Sequence, residues 1–103
     1  MGRYQLLKLQ KYNSTRPERI IGEILKSNRI RFKTKVVIAN REVDFLIQGI
    51  FALEIGNHKQ DSSKNIMLLE KGYKLMQLSN KEIYQQDRLK LNKFLLNWLK
   101  IRE

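Results

Sequence analysis

A chain of 103 residues, 42% apolar and 30% charged, has the length of a single packed domain and leaves no room for a second chemistry-bearing module. It has no cysteine and one histidine, which excludes disulfide scaffolds, Cys-ligated zinc and His-rich metal centres. No run reaches the ~18 apolar residues of a bilayer span, no signal-peptide pattern is present, and the expected setting is the cytoplasm. Lys and Arg number 21 against 10 Asp and Glu, a formal charge of +11 that excludes an acidic solvating chain and attracts polyanions, nucleic acid first.

The charge is uneven: residues 1–41 hold eleven basic and two acidic side chains, and residues 42–103 hold ten basic and eight acidic. Residues 1–13 show no clean period and read as an N-terminal arm. Thr15-Arg16-Pro17-Glu18 is a helix start, with a Thr cap, a reciprocal Glu and a proline where no amide donor is needed. Ile20, Ile21, Ile24 and Leu25 form the helix's apolar stripe, which ends near Ser27-Asn28. Arg31 to Ile38 alternates as a strand, with Arg31, Lys33 and Lys35 as a cationic stripe. Ala39-Asn40-Arg41 turns the chain into a second strand from Val43 to Ile47, and Gln48-Gly49 turns it into a third from Ile50 to Ile55.

Parity in that second hairpin restricts its register. Val43, Phe45, Ile47, Phe51, Leu53 and Ile55 are odd and apolar, so odd positions must face odd ones. A type I turn with Gly49 as a bulge achieves this by pairing 46 with 50. Asp44 then faces Ala52, with Glu54 as its diagonal neighbour about 7–8 Å away. Asp61 to Lys71 reads as a helix stopped by Gly72, and Tyr73 to Leu78 as a strand. Ser79-Asn80-Lys81-Glu82 is a second capping box that opens a long helix over 80–101, with Leu91, Phe94, Leu95, Trp98 and Leu99 as its apolar stripe. Trp98 and Leu99, if exposed, would make this helix a homodimer or partner surface. The order helix, three strands, helix, strand, helix requires a crossover, hence an α/β fold with a mixed sheet flanked by helices over residues 1–103.

Two readings of Asp44 and Glu54 follow from their spacing. They pair with Arg41, Lys33 or Lys35 as salt bridges, or they hold a hard cation, since Mg²⁺ takes one or two carboxylates together with phosphate oxygens and water. In a basic protein the second arrangement brings a metal to a phosphodiester, where it polarises the phosphoryl oxygen and acidifies an attacking water.

Asp44, with Glu54 ten residues on and within this element order, resembles the PD-(D/E)XK nuclease superfamily. More narrowly, Thr15 to Leu99 resembles small very-short-patch-repair-like (Vsr-like) endonuclease domains. The matching residues are Pro17-Glu18, Leu25, Arg31-Phe32-Lys33, Val43-Asp44-Phe45, Leu53-Glu54-Ile55-Gly56, His58, Asp61-x-x-Lys64, Leu68 and Gly72-Tyr73. Arg41 to Leu46 with Glu54-Ile55-Gly56 is also similar to the nuclease-like tail domain of some archaeal and bacterial AAA-type ATPases.

The resemblance implies a metal-dependent DNA endonuclease, with Mg²⁺ or Mn²⁺ held by Asp44 and Glu54 and with Glu18 as an outer ligand or water-orienting group. An E-x-K pattern would place lysine at 56, where this chain has Gly56. His58 is then the candidate proton-handling group or ligand, with Lys59 or Gln60 as substitutes; Asp61 reads first as a helix cap. Arg16, Arg19, Arg29, Arg31, Lys33 and Lys35 are the expected phosphate contacts, and no base-reading motif is evident. Gly56 favours an alternative, a catalytically degenerate nuclease-fold module that binds DNA or a protein. An RNA-binding accessory protein is disfavoured by the absence of an aromatic RNP-like strand.

Overall fold

The computed structural model describes residues 15–56 and 62–100. The first helix, α1 (Arg16–Ser27), begins where the sequence requires. Thr15 caps it, with the Glu18 amide donating to Thr15 Oγ1 and the Glu18 carboxylate reaching back to the Thr15 amide. Its stripe of Ile21, Ile24 and Leu25 is buried. Asn28 ends the helix, its side-chain amide donating both to the Ile24 carbonyl and to Asn92 Oδ1 (2.6 Å), which ties α1 to the last helix.

Strands β1 (Phe32–Ile38), β2 (Arg41–Ile47) and β3 (Phe51–Ile55) are successive antiparallel neighbours. Helix α2 (Ser62–Glu70) then leads to β4 (Lys74–Leu78), which pairs parallel to β3, giving a four-stranded mixed sheet in the order β1-β2-β3-β4. The fold is therefore the α/β arrangement expected, with β3 inside the sheet. Gly72, at φ 91°, closes α2 as its C-terminal stop.

The β2–β3 hairpin keeps the expected parity but not the expected register. Gln48 and Gly49 are both left-handed, at φ 53° and 73°, and the Ile50 amide closes the turn on the Ile47 carbonyl. Ile50 becomes the extra residue and Ile47 pairs with Phe51, two steps from the 46-to-50 pairing. Extending that ladder sets Asp44 opposite Glu54, rather than opposite Ala52.

Two apolar layers sandwich the sheet. The larger joins α1 to Phe45, Ile47, Phe51, Leu53, Ile55, Leu78 and the last helices; the smaller consists of Val43, Ala52 and Leu68 beneath α2. Val43 thus packs on the side opposite Phe45, against the single-face pattern of its odd positions. This change of side coincides with left-handed Lys35 (φ 53°) on the neighbouring strand, where the β1–β2 ladder skips the Lys35–Asp44 pair.

The long terminal helix is two helices, α3 (Asn80–Gln85) and α4 (Arg88–Trp98). The Ser79–Glu82 capping box opens α3 as expected. Gln86 is extended (ψ 140°), and Asp87 restarts the chain as a cap, accepting from the Lys90 amide at 2.8 Å. Leu99 is buried and Trp98 stacks edge-on to Phe51 at 5.1 Å, so neither offers a docking face. Phe94, expected inside, is 40% exposed, and Leu96 is buried instead. Residues 1–13, expected as an arm, lie outside the described residues.

Leu53 is fully buried on the inner strand beside Glu54. Leu53→Ala should cost about 2–5 kcal/mol in urea unfolding, whereas Val37→Ala, at an exposed edge position, should stay within about 0.5 kcal/mol.

Candidate functional site

The centre of the site is the point where β2 and β3 part. Their ladder ends at Phe45–Leu53. One residue further, the Asp44 side chain takes over the strand's role: its Oδ2 accepts the Ile55 amide at 2.7 Å. The Asp44 carboxyl is thereby anchored to the backbone of β3 at the residue next to Glu54, close enough for its charge to act on the Glu54 carboxyl. Burial pushes the Glu54 pKa up; the Lys64 ammonium opposes that rise, and the Asp44 carboxylate reinforces it. Glu54 Oε1 is buried without a directed hydrogen bond, its ion-pair neighbour being Lys64.

Lys64 comes from α2, and helix geometry explains its position. It lies one turn before Leu68, on the same helix face, and Leu68 is packed in the layer containing Ala52. One helical turn advances about 5.4 Å. Two strand residues, Ala52 to Glu54, advance about 7 Å, so the lysine follows the carboxylate along the sheet. Its ammonium pairs with Glu54 and donates to the Glu42 carbonyl. Lys64 thus answers the salt-bridge reading of Glu54 with a partner that was not among Arg41, Lys33 and Lys35. Its spacing from Leu68 was the available signal.

Glu18 enters from α1. Its carboxylate accepts from the Thr15 hydroxyl at 2.9 Å and pairs with Lys35 at 3.1 Å. Burial alone would raise its pKa, but the hydrogen bonds from Thr15 and Lys35 and the Lys35 charge together hold it below the ordinary value. Lys35 is raised in turn, first by its hydrogen bond to Glu18 and then, against burial, by the charges of Glu18, Asp44 and Glu42. Glu18 thus caps α1 and is linked to the sheet through Lys35.

Among the described residues no three Asp, Glu or His side chains converge as a metal cage. Asp44 and Glu54 nevertheless fit Mg²⁺ or Mn²⁺. They are two adjacent hard oxygen donors, and Mg²⁺, which takes one or two carboxylates with water and phosphate, would have to displace the Lys64 ammonium from Glu54 Oε1. Glu54 also borders a hollow of about 110 Å³ with Asn65, Leu68 and Gln77, room for a few water molecules. His58, Lys59, Gln60 and Asp61 lie outside the described residues.

Four of the six expected phosphate contacts fall in two places. Arg31 and Lys33 border an open groove of about 460 Å³ with Phe32, Leu46, Gln48 and Gly49. Leu46 is two residues from Asp44 along β2, about 7 Å. Arg16 and Arg19 line a separate hollow with Ile20, Glu23 and Arg88, where Arg88 pairs with Glu23 at 3.2 Å and Arg16 lies over the Tyr84 ring. Arg88 is brought there from 65 positions beyond Glu23, beyond the reach of local pattern. Arg29 is exposed in a left-handed turn, and Lys35 is engaged with Glu18.

The raised Glu54 pKa has a stability consequence. A folded pKa above the unfolded one contributes stability at low pH that is lost as pH rises through the folded value. The Glu54 contribution to the metal-free Tm should therefore fall as pH rises from 4 to 7, and Glu54→Gln should flatten that dependence in paired thermal melts.

No family model and no curated protein matches the chain. Among solved structures, it is similar to the catalytic domain of the homing endonuclease I-Bth0305I. The match has a TM-score of 0.65 and 26% sequence identity, and covers 84% of this chain and 97% of that one. The four-stranded mixed sheet and its flanking helices thus form a nuclease-like fold.

Proposed function

We propose that the protein is a metal-dependent DNA endonuclease of Vsr-like type that hydrolyses phosphodiester bonds. The observation that carries this reading is the anchored carboxylate pair, Asp44 and Glu54, at the strand fork of a nuclease-like fold in a chain of charge +11. Asp44 and Glu54 would hold Mg²⁺ or Mn²⁺, which supplies a polarised phosphoryl oxygen and an acidified water. Glu18, held by Thr15 and Lys35, would serve as the outer acidic group or orient a water. Arg31 and Lys33 would hold the DNA backbone beside it, and Arg16 and Arg19, joined by Arg88, would hold a more distant stretch. His58 or Lys59 would handle protons.

The catalytically degenerate module remains the second reading, favoured by Gly56 and by the Lys64–Glu54 pair occupying the acidic centre. A homodimer through α4 would use Leu89 and Phe94, 75% and 40% exposed, in place of Trp98 and Leu99. Among the described residues no helix is long and apolar enough to cross a membrane.

Asp44→Asn keeps an acceptor for the Ile55 amide while removing the charge. With Mg²⁺ and supercoiled plasmid, the wild type should nick DNA, EDTA should stop it, and Asp44→Asn should be slower by about 100-fold or more. Tight binding by both proteins without nicking would support the module instead. Lys33→Ala should weaken DNA binding and reduce the slope of log affinity against log salt by about 0.9, measured by fluorescence anisotropy.

A further inference from the structure

The strand position where an E-x-K pattern carries its lysine is closed to one here. Gly56 is buried, its amide donates to the Leu78 carbonyl, and its φ of 131° lies where L side chains are strained. Yet an ammonium does stand at the acidic pair, delivered by a different element. Lys64 reaches across from the crossover helix, with its side chain only 17% exposed. Lysines ordinarily run their stems over apolar surface and keep the charged end in water. This one turns its charge down onto the sheet, where it meets the Glu54 carboxylate and the Glu42 carbonyl. The Val43–Ala52–Leu68 packing beneath α2 fixes the helix face from which it comes.

We propose that Lys64 supplies the cationic side chain of the active site, a role that rests on the nuclease reading above. In the free protein its ammonium is the counter-ion that makes the Asp44–Glu54 pair tolerable. When DNA occupies the site, the ammonium transfers from Glu54 to a non-bridging oxygen of the scissile phosphate and stabilises the negative charge that grows there. The bond from phosphorus to the attacking water oxygen forms as the bond to the leaving oxygen breaks. The water gives up its proton and the leaving oxygen takes one, in the exchange assigned above to His58 or Lys59. Lys64 keeps its three protons throughout, so arginine, a permanent cation of similar reach, can replace it in part.

Lys64 and a metal ion are then rivals for Glu54 in the absence of DNA, which gives the inference a readout independent of turnover. The test compares the wild type, Lys64→Met and Lys64→Arg for Mn²⁺ binding by isothermal titration and for Mg²⁺-dependent plasmid nicking. Lys64→Met should bind Mn²⁺ at least as tightly as the wild type while nicking about 100-fold more slowly, and Lys64→Arg should recover at least part of the rate. Nicking by Lys64→Met at the wild-type rate overturns this inference and leaves the nuclease reading standing. So does a loss of Mn²⁺ binding in Lys64→Met, which would mark the lysine as a structural tie. A wild type that binds Mn²⁺ and nicks nothing overturns both.

Discussion

Two carboxylates do not stay side by side in a sheet unless something compensates each, because burial penalises their charges and each penalises the other. In this protein the compensation is local and unequal. Asp44 is satisfied by the backbone, accepting the Ile55 amide where the β2–β3 ladder stops, and so becomes part of the strand fork. Glu54 is matched by a side chain, Lys64, and burial still raises its pKa. The fork thus holds one acid through the backbone and leaves the other dependent on a side-chain cation. The site and the function proposed for the chain both depend on that arrangement.

The surrounding fold serves this juxtaposition. Leu53 and Ile55 pack into the larger apolar layer, while Ala52 and Val43 face α2, so Glu54, two residues on from Ala52, points to the α2 side where Lys64 meets it. On the other side of Asp44, Lys35 takes a left-handed backbone conformation in the middle of a strand and pairs with Glu18. Such strained positions cost of order 1–3 kcal/mol and persist where the surroundings fix them. Lys35 couples α1 to the fork, so the acidic first turn of a capped helix becomes part of the electrostatics of the sheet.

Much of this was legible in the sequence because local chemistry and tertiary structure agree there. Thr15 and Ser79 open helices as their capping boxes require, Gly72 stops α2, and the odd apolar positions of β2 and β3 meet odd ones. Parity left the register open by steps of two, since the turn could shed its extra residue at Gly49 or at Ile50, and only the backbone angles of Gln48 and Gly49 decide it. The break between α3 and α4 is hard to read from pattern because the Ser79 capping box and the apolar stripe from Leu91 suit one continuous helix, while the polar run Gln85-Gln86-Asp87-Arg88 between them hides Asp87 as a new cap. Lys64 could be quoted as part of a motif but not placed, because its partner is set by how a crossover helix lies on a sheet. Arg88 is set by the same kind of long-range contact, its partner Glu23 lying 65 positions away.

The central claim is that Asp44 and Glu54 form a cation site and not a closed ion-pair cluster. Crystals soaked in Mn²⁺ and measured at an energy where manganese scatters anomalously test it most directly. The account predicts an anomalous peak within coordination distance of a carboxylate oxygen from each residue, with the Lys64 ammonium displaced from Glu54. An unaltered Lys64–Glu54 pair with no peak at the fork, at Mn²⁺ concentrations that saturate binding elsewhere, would contradict it.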